Sequence, residues 1–341
     1  MTGILQGALG GARALLVGWF LPSLINVVVF AFVVAPGPAK FGALSADAGW
    51  AAIAGVLGTA VLGLVLAALQ TPLYRVLEGY LGWPGWLFRA RTRRQLARKH
   101  LLRNRVDAIT LARHERGGRL ADADRPTLAA FRAHAVLGRY LAEDVRKGAV
   151  WLALLTERLH RYPVDDGQVA ATRLGNAIRR FEEYGYNHYL LDSQVLWHEL
   201  NAVVPDPVRK QVEDGRTNVD FFVCLLYGHL VVAVAAAADL IAGTAGRPWL
   251  VAGALAGLLV LAAVWYRVAV VATDEWAGAV RAMVNLGRAP LAAAMGLTLP
   301  ATIGEERVMW LFTGDLVGTA FNPGVEVLDK YRTTPETKPK T

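Results

Sequence analysis

A chain of 341 residues with 54 % hydrophobic and only 19 % charged side chains is too apolar to be a pair of soluble globular domains. The formal charge of +8 is carried by one block, residues 73–219, where 25 Lys/Arg stand against 17 Asp/Glu. A single cysteine, Cys224, excludes a disulfide framework and a cysteine-built metal site.

Four apolar runs carry the excess: 14–35 and 50–69 without a charge, 221–242 with Asp239 alone, and 249–272 with Arg267 alone. A hydrocarbon core of ~30 Å needs about 20 apolar residues in a helix, so each run is long enough to span. Four such runs in two close pairs argue against buried core helices. The first run exceeds the apolar length of a signal peptide, has only Arg13 before it and lacks a small-x-small site after it, so it reads as a retained span. The expected fold is all-α: two transmembrane hairpins (1–72 and 220–273) with a helical cytoplasmic domain, 73–219, inserted between them. A cytoplasmic amphipathic helix and tail, 274–341, follow. The hairpin turns 36–49 and 243–248 hold one basic residue each, Lys40 and Arg247. Basic residues near span ends stay inside, so both termini and the middle block face the cytoplasm of a bacterial inner membrane.

Residues 1–12 are small, glycine-rich and nearly uncharged. Span one contains Pro22, tolerated where neighbours re-satisfy the freed carbonyl, and Asn26, able to hydrogen-bond across helices. Pro36-Gly37-Pro38 marks the outer turn. Gly55, Gly58 and Gly63 in span two, with Gly253 and Gly257 in span four, permit close helix packing, within the chain or in a homo-oligomer.

Thr71-Pro72 marks a break and the start of a new helix. Tyr74, Tyr80, Trp83, Trp86 and Phe88 form an interfacial aromatic belt. A basic patch follows at once: Arg89, Arg91, Arg93, Arg94, Arg98 and Lys99, then Arg103 and Arg105, with no acid in 80–106. Lipid-facing, it would anchor on anionic headgroups at about 1 kcal/mol per basic residue. A specific anionic-lipid or phospholigand site is the alternative. Nucleic acid is not expected as a partner, since a patch pressed on a bilayer is badly placed to grip a duplex.

Apolar positions from Leu128 to Leu159 recur at helical spacing, as one long or two shorter amphipathic helices. The cluster from Tyr162 to Gly167 ends them, and Asp165-Asp166 reads as a helix cap in preference to a metal site. Residues 170–199 form two helices. In the first, Thr172, Arg173, Asn176, Arg179 and Glu183 make polar rows beside an apolar stripe of Leu174, Ile178 and Phe181. Tyr184 to Tyr189, with Tyr186 and Gly185, reads as a turn, and Asp192, Trp197, His198 and Glu199 follow. This density of hydrogen-bonding groups fits either a network that pins the domain or a pocket for an anionic ligand. His188 and Asp192 at i, i+4 have no recognised metal-site form, and no nucleophile elbow, phosphate loop or dinucleotide fingerprint occurs. Neither a metal nor a cofactor is expected, nor a catalytic residue.

Residues 207–219 read as a stalk helix rising into span three, with Gly215 as a flex point. After span four, Trp276, Val280, Met283, Val284 and Leu291 lie on one side of a helix and Arg281 and Arg288 on the other, which suits a helix on the inner membrane surface or docked on the middle domain. The last dozen residues read as disordered.

The order of these features resembles a family of uncharacterised bacterial, actinobacterial-type polytopic membrane proteins. Their cytoplasmic helical domain carries Tyr-Pro, then Thr-Arg-Leu-Gly-Asn, then a Tyr- and Arg-rich turn with a downstream Asp and Trp. Tyr162-Pro163, Thr172 to Asn176, Glu183-Tyr184, Tyr186, Tyr189, Asp192 and Trp197 match that layout. Gly185 and His188 depart from it, standing where the layout has proline and arginine. The resemblance implies a membrane-embedded fold and no particular activity.

Three functions follow as expectations. The first is a non-enzymatic membrane protein whose helical domain senses or binds a partner or anionic ligand. The second is an oligomeric channel or transport component in which, of the intramembrane polar residues Asn26, His229, Asp239 and Arg267, one of the last three lines a path, His229 being the best placed. The third is a membrane-bound enzyme acting on a lipid-type substrate through Arg173, Glu183, Asp192 and His198.

Overall fold

The computed structural model describes residues 13–34 and 48–333. The outer turn expected at 36–38, residues 1–12 and the last part of the tail lie outside the described residues. Within them every regular element is helical, and one isolated bridge joins Leu297 to Arg332. Three helices are long and apolar enough to cross a membrane, or four if one bent pair counts as a span.

The chain folds as two compact units, Met1–Tyr74 with Ser193–Thr341, and Arg75–Asp192. By contact, therefore, residues 193–219 group with the apolar helices and not with the middle block.

The first unit begins with a π-helical stretch, Leu16–Phe20, that leads into α1 (Leu21–Val33). Pro22 has no N–H to return to the carbonyl one turn earlier, and the turn before it widens accordingly. Next come α2 (Ala48–Ala68) and α3 (Gln70–Glu78), which is bent 61° from α2. After the second unit the chain returns as α9 (Trp197–Val203), α10 (Asp206–Ile241), α11 (Pro248–Ala294) and α12 (Ile303–Gly318). Val232, Ala233 and Leu258 form a buried cluster with Val29, Phe30 and Val33, tying α1, α10 and α11 together.

At 1.5 Å per residue the 36 residues of α10 and 47 of α11 extend about 54 and 70 Å, well past a hydrocarbon core of ~30 Å. The residues expected to lie on the inner membrane surface or dock on the middle domain continue α11 without a break at Asp274. Their apolar face is spent on protein: Val280, Met283, Val284 and Leu291 are at most 1 % exposed. A side chain at Gly215 of α10 would collide with the backbone of Trp276 of α11, so the two helices touch there. Gly215 is a contact point inside a continuous helix, not a flex point.

The first unit holds an ion pair between half-buried Arg288 and buried Glu306. Arg288 Nη1 donates to Glu306 Oε1 and Oε2 at 2.6 and 2.7 Å, and Trp310 Nε1 to Glu306 Oε1 at 3.1 Å. Residues 330–333, expected to be disordered, are held: Thr298 N donates to Tyr331 O at 2.6 Å and Thr333 N to Gly296 O at 3.0 Å.

The second unit contains α4 (Gly85–Arg116), α5 (Arg125–Ala133), α6 (Ala135–His160), α7 (Arg173–Glu182) and α8 (Tyr184–Tyr189). Ala108, Ile109 and Ala112 of α4 pack with Leu128 of α5 and Leu141 and Leu155 of α6. The stretch 125–160 is interrupted twice: His134 leaves the helical conformation and its ring accepts the Val136 and Leu137 N–H groups, and Gly148, at φ 78°, kinks α6. Tyr184–Tyr189 is a helical turn ended by Leu190 in the left-handed conformation (φ 55°).

Candidate functional site

The α7 region is assembled from its N-terminus. Thr172 caps the helix, its hydroxyl accepting from Gly175 N at 3.0 Å. Asn176 points back over the incoming strand of chain: its Oδ1 accepts from Ala170 N at 2.8 Å, and its Nδ2 donates to Ala170 O at 3.0 Å and Thr172 O at 2.6 Å. With Asn176 1 % exposed, these bonds form away from water and fix the entry to α7. Gly175 lets α7 approach the end of α3, since a Cβ there would collide with the Glu78 carbonyl oxygen. Leu174, Ile178 and Phe181 are at most 4 % exposed, so the apolar stripe is a core face.

The polar face holds Arg179, whose Nε and Nη2 both donate to Gln168 Oε1 at 3.1 and 2.6 Å, and whose Nε lies 3.2 Å from Glu183 Oε1. Glu78, Glu182, Glu183, Tyr80 and Arg179 share one electrostatic neighbourhood. Burial and then the charge of Glu182 push the Glu78 carboxyl up to about 7, against the pull of Arg75 and Arg179. Glu183 is raised as well, chiefly by burial, and Arg179 opposes the shift. Sequence reasoning missed Glu78; its only signal was that it ends the helix begun at Thr71-Pro72, where the arginine run has not yet started.

Arg173, the first residue of α7, and Tyr186 are exposed, while Tyr189 and Asp192 are half-buried. The Tyr184 and His188 rings meet at 4.3 Å between centroids, tilted by 30°. Trp197 opens α9 in the other unit. Asp165 caps a turn as expected, its Oδ1 accepting from Gly167 N at 2.9 Å. Among the described residues, no group of three or more His, Cys, Asp or Glu is arranged to hold a metal.

The basic run on α4 divides by helix face. At 100° per residue, Arg89 and Arg93 fall within roughly 40° of each other, and Arg91, Arg94 and Arg98 within a separate arc of roughly 60°. Arg89, Arg91, Arg93 and Arg94 are exposed and Arg98 half-buried, and none of the five makes an ion pair among the described residues. Lys99 does not belong with them. It is 1 % exposed, its ammonium donating to Val164 O at 2.9 Å and to Asp166 Oδ1. One turn before Lys99 on the same face, Gln95 Oε1 accepts from the Tyr162 hydroxyl at 3.0 Å. Hydrogen bonds from Lys99 and His100 draw the Asp166 carboxyl down to about 2. Further along, Arg105 grips Asp144 through two bonds of 2.8 and 2.7 Å.

In the first unit two polar residues of the apolar helices, Asn26 and His229, form a joint. His229 is 3 % exposed; its Nδ1 donates to Asn26 Oδ1 at 2.7 Å, and its ring meets Trp265 edge-on at 6.1 Å. Asn26 Nδ2 donates to Pro22 O at 2.9 Å and Cys224 O at 3.4 Å. A side chain at Gly228 would overlap the Asn26 amide, so α10 is notched to receive it. Asp239 accepts the Thr244 hydroxyl near the end of α10, and Arg267 is exposed. A further cluster went unread in the sequence: Asp220 accepts from the Tyr74 hydroxyl at 2.7 Å and from Gln70 Nε2 at 3.0 and 3.1 Å, fastening α3 to α10.

Compared with protein-family models, with curated proteins and with solved structures, the chain matches none.

Proposed function

We propose that this is a four-span inner-membrane protein, with spans 14–35 and 50–69 in one hairpin and 221–242 and 249–272 in the other, that belongs with the bacterial family it resembles. On this reading α2 crosses alone, because its 21 residues suffice, and the 61° bend turns α3 out of the bilayer at the inner face. The helical unit Arg75–Asp192 is then cytoplasmic and binds an anionic ligand or partner without turnover.

The observation that carries the reading is the set of arginines on α4, exposed or half-buried, that no carboxylate of the described chain pairs. Elsewhere in the same unit Arg105, Arg132 and Lys147 all have acidic partners. Cations left unpaired beside an aromatic belt suit headgroup phosphates, which accept bidentate guanidinium bonds.

The test is lipid retention. Full-length protein is purified from mixed phosphatidylcholine and phosphatidylglycerol and its bound lipid weighed by native mass spectrometry. Wild type should retain the anionic lipid, and the combined R89Q, R91Q, R93Q and R94Q variant should lose that enrichment. Equal retention by both proteins would remove the reading.

A further inference from the structure

At the surface of the second unit a histidine is paired with a carboxylate, and lipid retention makes no use of the pair. Asp166 opens the turn Asp166–Gln168, and its two oxygens have different tasks. Oδ1 takes the ammonium of buried Lys99, whose other bond, to Val164 O at 2.9 Å, fixes this stretch against α4. Oδ2 lies 2.6 Å from His100 Nε2, where the two side chains are 42 % and 46 % exposed and open to a reagent.

Hydrogen bonds from Lys99 and His100 hold the Asp166 carboxyl at about 2, so near neutral pH it is ionised and can only accept. His100 Nε2 therefore carries a proton and donates, and in the neutral ring the lone pair falls on Nδ1. Nδ1 has no hydrogen-bond partner among the described residues. Asp166 thus fixes the tautomer, orients the ring and stabilises positive charge that builds on it, as a nucleophilic imidazole requires.

The helix supplies the surroundings. Arg89, Arg93, His100 and Arg103 fall within an arc of roughly 80° on α4, with Arg93 two turns before His100 and Arg103 one turn after. Ala97, small and exposed, lies one turn from both Arg93 and His100 and leaves the ground between them low. Arg89 and Arg93 have no acidic partner among the described residues. Arg103 stands 4.0 Å from Asp166 Oδ1, beyond hydrogen-bond distance, so its forked donors are not committed there. Along α4 the first acid, Asp107, comes two turns past His100.

We propose that His100 is a phosphoacceptor: its Nδ1 takes a phosphoryl group from a donor that carries it on nitrogen, and Arg93 and Arg103 hold the phosphoryl oxygens. Nδ1 attacks phosphorus, the donor's P–N bond breaks with its electron pair leaving on the amine, and the phosphorylated ring keeps its Nε2 proton against Asp166. With phosphoramidate, whose nitrogen is protonated in the reacting form, ammonia leaves and no oxidant or further proton is needed. The transferred group brings close to two negative charges, matched by two guanidinium forks. This is a covalent modification, and it does not rest on the anion-binding reading of the unit.

The experiment treats full-length protein in detergent with phosphoramidate. Phosphate on each histidine is followed by peptide mass spectrometry without acid, and the labelled nitrogen is assigned by phosphorus NMR. His114 on the same helix is the internal reference: it is exposed and flanked by Arg113 and Arg116, but no carboxylate bonds its ring among the described residues. His100 should be labelled about tenfold faster than His114, as expected from one charge-assisted hydrogen bond, and at Nδ1. In Asp166→Asn the remaining oxygen faces Lys99 and the amide N–H faces Nε2, which moves the ring proton to Nδ1. His100 should then react no faster than His114. Arg93→Gln, a change at an exposed position, should slow His100 about threefold and leave His114 as it was. If Asp166→Asn melts early because Lys99 loses its counter-ion, Arg93→Gln and the position of the label decide alone. Labelling of His100 no faster than that of His114, labelling at Nε2, or equal rates in wild type and a folded Asp166→Asn overturns the phosphoacceptor; an unchanged rate in Arg93→Gln overturns the part given to Arg93.

Discussion

Asn176→Ala should unfasten the second unit more than any exposed change in α7. The amide makes three hydrogen bonds from a position 1 % exposed, and alanine deletes them all. The Ala170 N–H, itself on a residue 3 % exposed, is then left without its acceptor. One buried donor stranded costs about 1–3 kcal/mol, and the two lost donations add about 0.5–1.5 kcal/mol each, offset where the carbonyls find water. A net loss of roughly 2–4 kcal/mol is expected. For a unit the size of Arg75–Asp192 this corresponds to a fall of roughly 8–16 °C in melting temperature. Asn176→Asp should be at least as damaging, because it keeps the acceptor but turns a carboxylate toward the Ala170 and Thr172 carbonyl oxygens. The assay is thermal unfolding of detergent-purified full-length protein, followed by a fluorophore attached within the second unit. A fall of less than 2 °C for Asn176→Ala, or Asn176→Asp as stable as wild type, would refute the structural assignment of this residue.

Three further outcomes follow. Glu78 is pushed up to about 7 in the folded protein, above the ordinary carboxylate value of 4.5, so the folded state binds more protons between those pH values and loses stability as pH rises through that window. Melting temperature measured from pH 4.5 to 8 should therefore decline, and Glu78→Gln should flatten the decline, leaving a residual slope from Glu183 and Asp107, which are raised as well; a wild type whose stability climbs across the window would contradict this. Lys99→Met should cost about 1–3 kcal/mol in denaturant unfolding by leaving Val164 O without its donor, whereas Arg93→Gln should stay within about 0.5 kcal/mol. Gly228→Ala should cost more than Asn26→Ala, about 1–3 kcal/mol against about 1 kcal/mol, because the first forces α1 off α10 and the second removes hydrogen bonds of modest strength between apolar helices.

Much of the fold was legible because charge is so costly in a bilayer that its absence over twenty residues is a strong signal. The extension of α11 was harder. Val280, Met283, Val284 and Leu291 announce an apolar stripe but not what covers it. The complementary signal lay in the stalk, where Val208, Val212, Gly215 and Val219 recur at i, i+4, i+7 and i+11 and are all buried. Matched to that stripe, they point to a helical hairpin prolonged beyond its apolar segments. Lys99 was hidden by its neighbours: in a run of eight bases it looks like another surface cation, and only its spacing from Gln95 separates it from the exposed faces. Within the Thr172–Asn176 motif, the cap and the small residue were readable. That the polar groups of Asn176 serve its own backbone was not, since the same side chain could equally have faced a ligand.

The most direct test is topology, because arginines that bind a cytoplasmic anion must lie on the cytoplasmic side. Single cysteines placed at Asp122 in the second unit and at Arg247 between α10 and α11 are probed in intact cells with a membrane-impermeant maleimide. The native Cys224, fully buried, gives no background. The account predicts labelling at 247 from outside and at 122 only after the membrane is opened. Labelling at 122 in intact cells would place the α4 arginines outside and contradict it.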